Sequence, residues 1–240
     1  MIRLERVTKG YVQEGGTAVV LDGLDLRVER GSFCAVMGPR GAGKSTLLNI
    51  VGGIDHADLG EVAVDGADLT CLSDSELAAW RAENIGFVSR GFNLIPVLSV
   101  YENVELPLLL SPLDPGERIE HVERAVGLVG LFEQMRHRPV HLSAEQAQRA
   151  AFARALVTDP DLILADEPTA GLDRKSGDRL VDLFFSLNDE LGKTILIATQ
   201  DVRVAERASR VIRLERGRVV EQRSMAGAGG SAGLGYFRGW

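Results

Sequence analysis

Phe33-Cys34-Ala35-Val36-Met37-Gly38-Pro39-Arg40-Gly41-Ala42-Gly43-Lys44-Ser45-Thr46 runs from five apolar residues into three glycines, a lysine and two hydroxyls. A short apolar run bounded by glycine reads as a buried strand, and Lys44–Val51, with apolar residues at helical spacing, reads as the helix behind it. Gly38-x-x-x-x-Gly43-Lys44-Ser45 fits the phosphate-loop pattern, in which glycines let consecutive backbone N–H groups curl around phosphate oxygens. The helix start adds its positive dipole end. Lys44 is suited to the β- and γ-phosphates and the Ser45 hydroxyl to Mg2+, so ATP and Mg2+ are the expected ligands of Gly38, Pro39, Arg40, Gly41, Ala42, Gly43, Lys44, Ser45 and Thr46.

On the N-terminal side, Ile2–Val7 and Leu24–Glu29 alternate apolar and polar residues, with turn-formers Asp22-Gly23 and Arg30-Gly31-Ser32 around the second run, and read as antiparallel strands. On the C-terminal side the character turns helical from Ser73 to about Leu156: Asp74–Glu83, Pro115–Val129 and Ala144–Leu156 carry apolar residues three and four apart. Beyond them, apolar strands Leu162–Ala165, Thr194–Thr199 and Val211–Leu214 alternate with helical Lys175–Leu191 and Val202–Ser209, the pattern of parallel βα units. The Gly/Ala-rich stretch from 224 to 240 reads as a flexible tail. Its Tyr236, Phe237 and Trp240 are docking candidates.

With 27 Lys and Arg against 34 Asp and Glu, the net charge is −7, which argues against a generally basic nucleic-acid-binding surface. Cys34 and Cys71 fit no metal-ligand spacing and read as neutral thiols of a reducing compartment. No apolar run approaches the ~18–20 residues of a membrane span, and Met1–Arg6 is not a secretory signal. A membrane role would therefore require another chain to do the spanning.

Leu162-Ile163-Leu164-Ala165-Asp166-Glu167 is an apolar strand that delivers two carboxylates at its end. Asp166 suits the Mg2+ shell and Glu167 the polarisation of an attacking water. The order phosphate loop, Leu142-Ser143-Ala144-Glu145-Gln146 before Arg149 and Arg154-Ala155-Leu156, Asp166-Glu167-Pro168-Thr169, then Gly171-Leu172-Asp173 resembles an ATP-binding-cassette (ABC) ATPase over residues 2–222. Ile85-Gly86-Phe87-Val88, Phe92-Asn93-Leu94-Ile95-Pro96 and Val100-Tyr101-Glu102-Asn103-Val104-Glu105-Leu106-Pro107 resemble the MacB/LolD-type subgroup of macrolide exporters and lipoprotein-releasing complexes. The resemblance implies an α/β P-loop NTPase fold with a mixed sheet core, an antiparallel β subdomain and a helical subdomain at about 90–157, within a nucleotide-binding domain at 1–223.

It also implies a head-to-tail homodimer or heterodimer of cassettes, with ATP between one phosphate loop and the other chain's signature segment, Leu142–Gln146. The dimer would sit peripherally on the cytoplasmic face of the membrane against an integral permease. Tyr11 matches the aromatic that stacks on adenine, with an ordinary strand-edge tyrosine as the alternative. Asp173 matches the acidic residue of the loop that crosses the dimer interface, with a helix cap as the alternative.

Three motifs depart from the family pattern. Arg90 stands where a glutamine is usual, Ala144 and Glu145 replace the two signature glycines, and Gln200 stands where a histidine is usual. A carboxylate about 5 Å from phosphate charge costs on the order of 3 kcal/mol per charge pair at an effective dielectric near 20. Losing one preorganised donor costs roughly 10²–10³ in rate. The expectation is slow ATP hydrolysis, with Glu167 and Gln200 as catalytic residues, or a non-hydrolysing ATP-binding scaffold. Arg40 is a candidate to offset Glu145 through an ion pair between subunits, with two independent solvated charges as the favoured alternative, since exposed pairs contribute only ~0–1 kcal/mol.

Overall fold

The structure, a computed structural model, describes residues 1–14 and 16–225. The tail residues Tyr236, Phe237 and Trp240 lie outside the described residues. β1 (Ile2–Gln13) and β2 (Gly16–Val28) pair antiparallel, as their alternation predicts, and β1 also pairs with β4 (Leu59–Val64). With β5 (Ala67–Asp68) they form a four-stranded sheet in the order β2-β1-β4-β5. Neither β4 nor β5 was expected.

The second sheet contains β3 (Phe33–Met37), β6 (Ile85–Val88), β7 (Leu162–Asp166), β8 (Thr194–Thr199), β9 (Arg210–Glu215) and β10 (Arg218–Ser224). Its order is β10-β9-β3-β8-β7-β6. All of its pairings are parallel except β9 with β10, which closes a hairpin. β10 extends through Ser224, one residue past the expected domain end at 223.

Alternate residues of this sheet feed two cores. Ala35, Ile163 and Ile195 pack on one side with Phe152 and Phe184, whereas Cys34, Leu162 and Leu196 pack on the other with Leu47, Leu48 and the four-stranded sheet. Burial on both faces explains why the parallel strands read as continuous apolar runs instead of alternating.

The first side is covered by α3 (Val100–Glu105), α4 (Pro115–Leu128), α5 (Ala144–Leu156) and α6 (Arg174–Leu191). The other side carries α1 (Lys44–Val51) and α2 (Asp74–Asn84). The helical stretch expected from Ser73 is therefore split. Leu77 and Trp80 of α2 pack into the four-stranded-sheet core, and β6 then returns to the central sheet before the α3–α5 layer begins. α7 (Val202–Arg207) closes the last crossover.

Candidate nucleotide site

The carboxyl ends of β3, β8, β7 and β6 lie side by side, the usual place for a ligand crevice in a parallel sheet. β3 ends in the phosphate loop, whose glycines meet three different demands. A Cβ on Gly38 would stand 2.2 Å from the carbonyl oxygen of Leu214 on β9, so the loop passes too close to β9 for a side chain. Gly41 has φ +77 with open space around it, and Gly43 combines φ +101 with Val20 O only 2.8 Å from a Cβ. Lys44, 7% exposed, crosses back over the loop and donates to Gly38 O at 2.8 Å and Pro39 O at 3.2 Å.

β7 delivers Asp166 and Glu167. Glu167 takes a left-handed backbone, φ 45, and its N–H donates to Ala198 O at 2.8 Å, which aims the side chain across the strand ends. Oε1 stands 3.5 Å from Lys44 Nζ, while Oε2 accepts from Thr199 Oγ1 at 3.3 Å and from the Gln200 backbone N–H at 3.2 Å. Asp166 Oδ1 is buried without a hydrogen-bond partner. A buried carboxylate oxygen left unpaired is costly unless a cation or water completes it, and this one lines the same cleft as Ser45, so the donor set fits a hard divalent cation such as Mg2+.

The cleft, about 670 Å³, is lined by the loop from Arg40 to Thr46 together with Val20, Arg90, Asp166, Glu167 and Gln200. Arg90 reaches it from a loop tied to α5 by Arg154, whose guanidinium donates to Asn93 O at 2.7 Å and Phe92 O at 2.9 Å. Both carbonyl-bearing residues have positive φ, 58 for Phe92 and 50 for Asn93, a geometry that the guanidinium helps hold.

Tyr11 lies beside the cleft, its hydroxyl near the Thr46 side chain and bonded to Asp55 Oδ2 at 2.8 Å. Lys9, 9% exposed, pairs with the same Asp55 at 2.8 Å and stands 5.3 Å from the Tyr11 ring centre. Burial alone would raise the Asp55 carboxyl, but hydrogen bonds from Lys9 and Tyr11 hold it below its ordinary range. Lys9 and Asp55 are supports that sequence reasoning missed. Asp55 lies 44 residues from Tyr11, and no local pattern signals the pairing.

Ser143, Glu145 and Asp173 are grouped elsewhere, and Ser143 and Glu145 line a separate cleft of about 530 Å³. Ser143 caps α5, and Asp173 caps α6 by accepting from the Ser176 N–H at 3.0 Å. The cap is thus what Asp173 does within a single chain. Glu145 is not a bare carboxylate: Arg149 stands 2.8 Å from Oε1, and Oε2 takes the Ser176 hydroxyl at 2.7 Å and the Arg179 guanidinium. The repulsion expected for an isolated charge loses its basis because two cations balance it. The candidate pairing with Arg40 would have to displace these partners.

A profile of the ABC transporter family matches residues 21–170. The chain belongs to the ABC transporter ATP-binding family. It is 44% identical over 220 residues to the uncharacterized ABC transporter ATP-binding protein YknY of Bacillus subtilis, covering 92% of this chain and 95% of that protein. To the lipoprotein-releasing system ATP-binding protein LolD of Syntrophus aciditrophicus it is 39% identical, covering 92% and 99%. Among solved structures it resembles the dimeric post-hydrolysis state of the ATP-binding cassette MJ0796 bound to ADP and Pi, from a protein of Methanocaldococcus jannaschii. That match has a TM-score of 0.88 at 40% identity, covering 95% of this chain and all of the other.

No helix among the described residues is long and apolar enough to cross a membrane. No group of three or more His, Cys, Asp or Glu side chains among them could hold a metal ion. Burial pushes the Cys34 thiol up to about 11, and Asp68 raises that of exposed Cys71, so both are neutral thiols at pH 7.

Proposed function

We propose that this ABC ATP-binding subunit binds Mg-ATP in the cleft at the strand ends and hydrolyses it slowly, and that the cycle drives a separate membrane permease of the lipoprotein-release or macrolide-export type. The observation that carries the reading is the meeting of Lys44, the unpaired Asp166 Oδ1 and Glu167 in one cleft. Ser45 and Asp166 would hold Mg2+, which when bound supplies charge neutralisation at the phosphate oxygens. Lys44 faces the phosphates. Glu167 takes the proton of the attacking water, its second oxygen fixed by the Gln200 N–H.

Arg90 and Gln200 support the slow rate. Relative to the family pattern, the cation enters from the β6 side, and the β8 side offers only a neutral amide. Tyr11, with its hydroxyl held by Asp55, offers a ring to adenine. Ser143 of a second cassette would close over the phosphates, and the working dimer would sit on the inner face of the membrane beneath its permease. The similarity to LolD supports that partner.

Phosphate release by the full chain with its permease, compared with Glu167→Gln, tests the proposal. Slow release in the wild type and none in the variant is expected. Equal release in both would refute the role of Glu167, and tight ATP binding with no release from either would favour the non-hydrolysing scaffold.

A further inference from the structure

One polar cluster joins the first turns of α5 and α6. Glu145 is the second residue of α5 and Ser176 the third of α6. Ser176 is 4% exposed, and its Oγ lies 2.7 Å from Glu145 Oε2 and 2.8 Å from Asp173 Oδ2. A serine hydroxyl carries one hydrogen, so two carboxylates share a single donor. Arg149 and Arg179 pair with Glu145, and Arg149 continues to Val129 O at 3.2 Å, beyond the end of α4. Two acids and two guanidiniums balance within the cluster. Burial would raise the Glu145 carboxyl, but the Ser176 and Arg179 hydrogen bonds and both guanidinium charges hold it below its ordinary range.

Deeper in the core the same two helices meet through Phe152 and Phe184, with ring centres 4.4 Å apart. The aromatic pair holds the helix bodies together, which leaves the polar cluster to set how the two first turns sit against each other. Those turns begin at Ser143 and Asp173. Ser143 Oγ accepts the Gln146 N–H at 3.2 Å, and its own hydrogen remains able to donate to an anion.

We propose that Glu145 is a positioning residue: through Ser176 and Arg179 it locks the signature turn to the 171–173 loop, so that Ser143 and Asp173 move as one unit. The consequence for turnover rests on the function proposed above, in which Ser143 meets ATP held by a second cassette.

The test is a double-mutant cycle of Glu145→Gln and Arg179→Met in the full chain, read by amide hydrogen exchange and by phosphate release. Each single variant should speed exchange at the first-turn amides of both α5 and α6, and the pair should go no further than the worse single. Phosphate release should fall about five- to tenfold in each single variant without compounding, because a positioning error acts once. ATP affinity of the Arg179→Met chain should stay within twofold of wild type, since its cleft shares no residue with the cluster. Faster exchange confined to α5, losses that multiply, or affinity falling in step with turnover would overturn the proposal. Should the wild type release no phosphate, the proposed hydrolysis fails, and the exchange data alone decide whether the lock exists.

Discussion

Replacing Gly38 with alanine isolates the question of why the phosphate loop needs glycine where its backbone is ordinary. Gly38 is not in the left-handed region, so alanine meets no conformational penalty there. The obstacle is the Leu214 carbonyl, 2.2 Å from the new Cβ, with Ala42 Cβ a further 3.2 Å contact. Ordinary contact lies roughly 1 Å farther out. The carbonyl belongs to β9, whose neighbours on both sides leave it little room to retreat, so the loop must move.

Overpacking of this kind costs about 1–3 kcal/mol. In a chain of this size that corresponds to a melting temperature lower by about 2–10 °C. A displacement near 1 Å also shifts the N–H groups that would face phosphate, and losing one hydrogen bond to a charged group costs about 1.5–3 kcal/mol, on the order of 100-fold in affinity. Gly41→Ala is the control: its Cβ meets nothing within 4 Å, and the cost is φ +77 alone, about 1–2 kcal/mol. Titration of both variants with Mg-ATP by calorimetry, alongside thermal melts, should show a loss near 100-fold for Gly38→Ala and under tenfold for Gly41→Ala. Affinity of Gly38→Ala within twofold of wild type, or the reverse ranking, would refute the steric reasoning.

Two further outcomes concern stability. Gly127 lies inside α4 without a positive φ, and a methyl group added there would meet no atom within 4 Å, so Gly127→Ala should raise stability by about 0.5–1 kcal/mol, measured by urea denaturation with ATP affinity unchanged. Asp201 is bonded by Thr169 at 2.9 Å and paired with Arg203 at 2.6 Å; burial opposes its ionisation, but these partners win and depress its carboxyl. A depressed folded-state value contributes stability above the ordinary carboxylate range of about 4, which is lost as pH falls through the folded value. The wild type should lose melting temperature between about pH 5 and 3, and Asp201→Asn should lose less over that interval; an identical pH dependence would remove Asp201 from the account.

What was legible in the sequence follows the reach of its local patterns. β3, the phosphate loop and α1 are contiguous, and one strand–glycine–helix signal carries all three, so Phe33–Met37 and Lys44–Val51 appear at the expected residues. The two-sided burial of β7 and β8 made their apolar runs equally plain. β4 escaped because Leu59–Val64 mixes exposed Leu59 with glycine and glutamate, and its strand character comes from pairing with β1, far back at the start of the chain. The Thr169–Asp201–Arg203 chain, which ties the loop after Glu167 to the residue after Gln200, is hidden for the same reason.

Glu145 shows a sharper limit, because a sequence displays a charge without its counter-charges. As an isolated carboxylate in the signature it implied a repulsion of a few kcal/mol, yet Arg149 and Arg179 bracket it and its partners lie four and thirty-four residues away. Arg90 and Gln200, by contrast, line the cleft proposed to hold ATP. The grounds for the proposed slow turnover therefore shift from three altered motifs to two, both on the phosphate-loop side of the proposed composite site. A cassette altered chiefly on that side would slow the ATP it holds itself while still offering Ser143 to a partner's nucleotide. Pairing this chain with a cassette that has the usual glutamine and histidine should then give one slow and one faster site, whereas a homodimer should be slow at both.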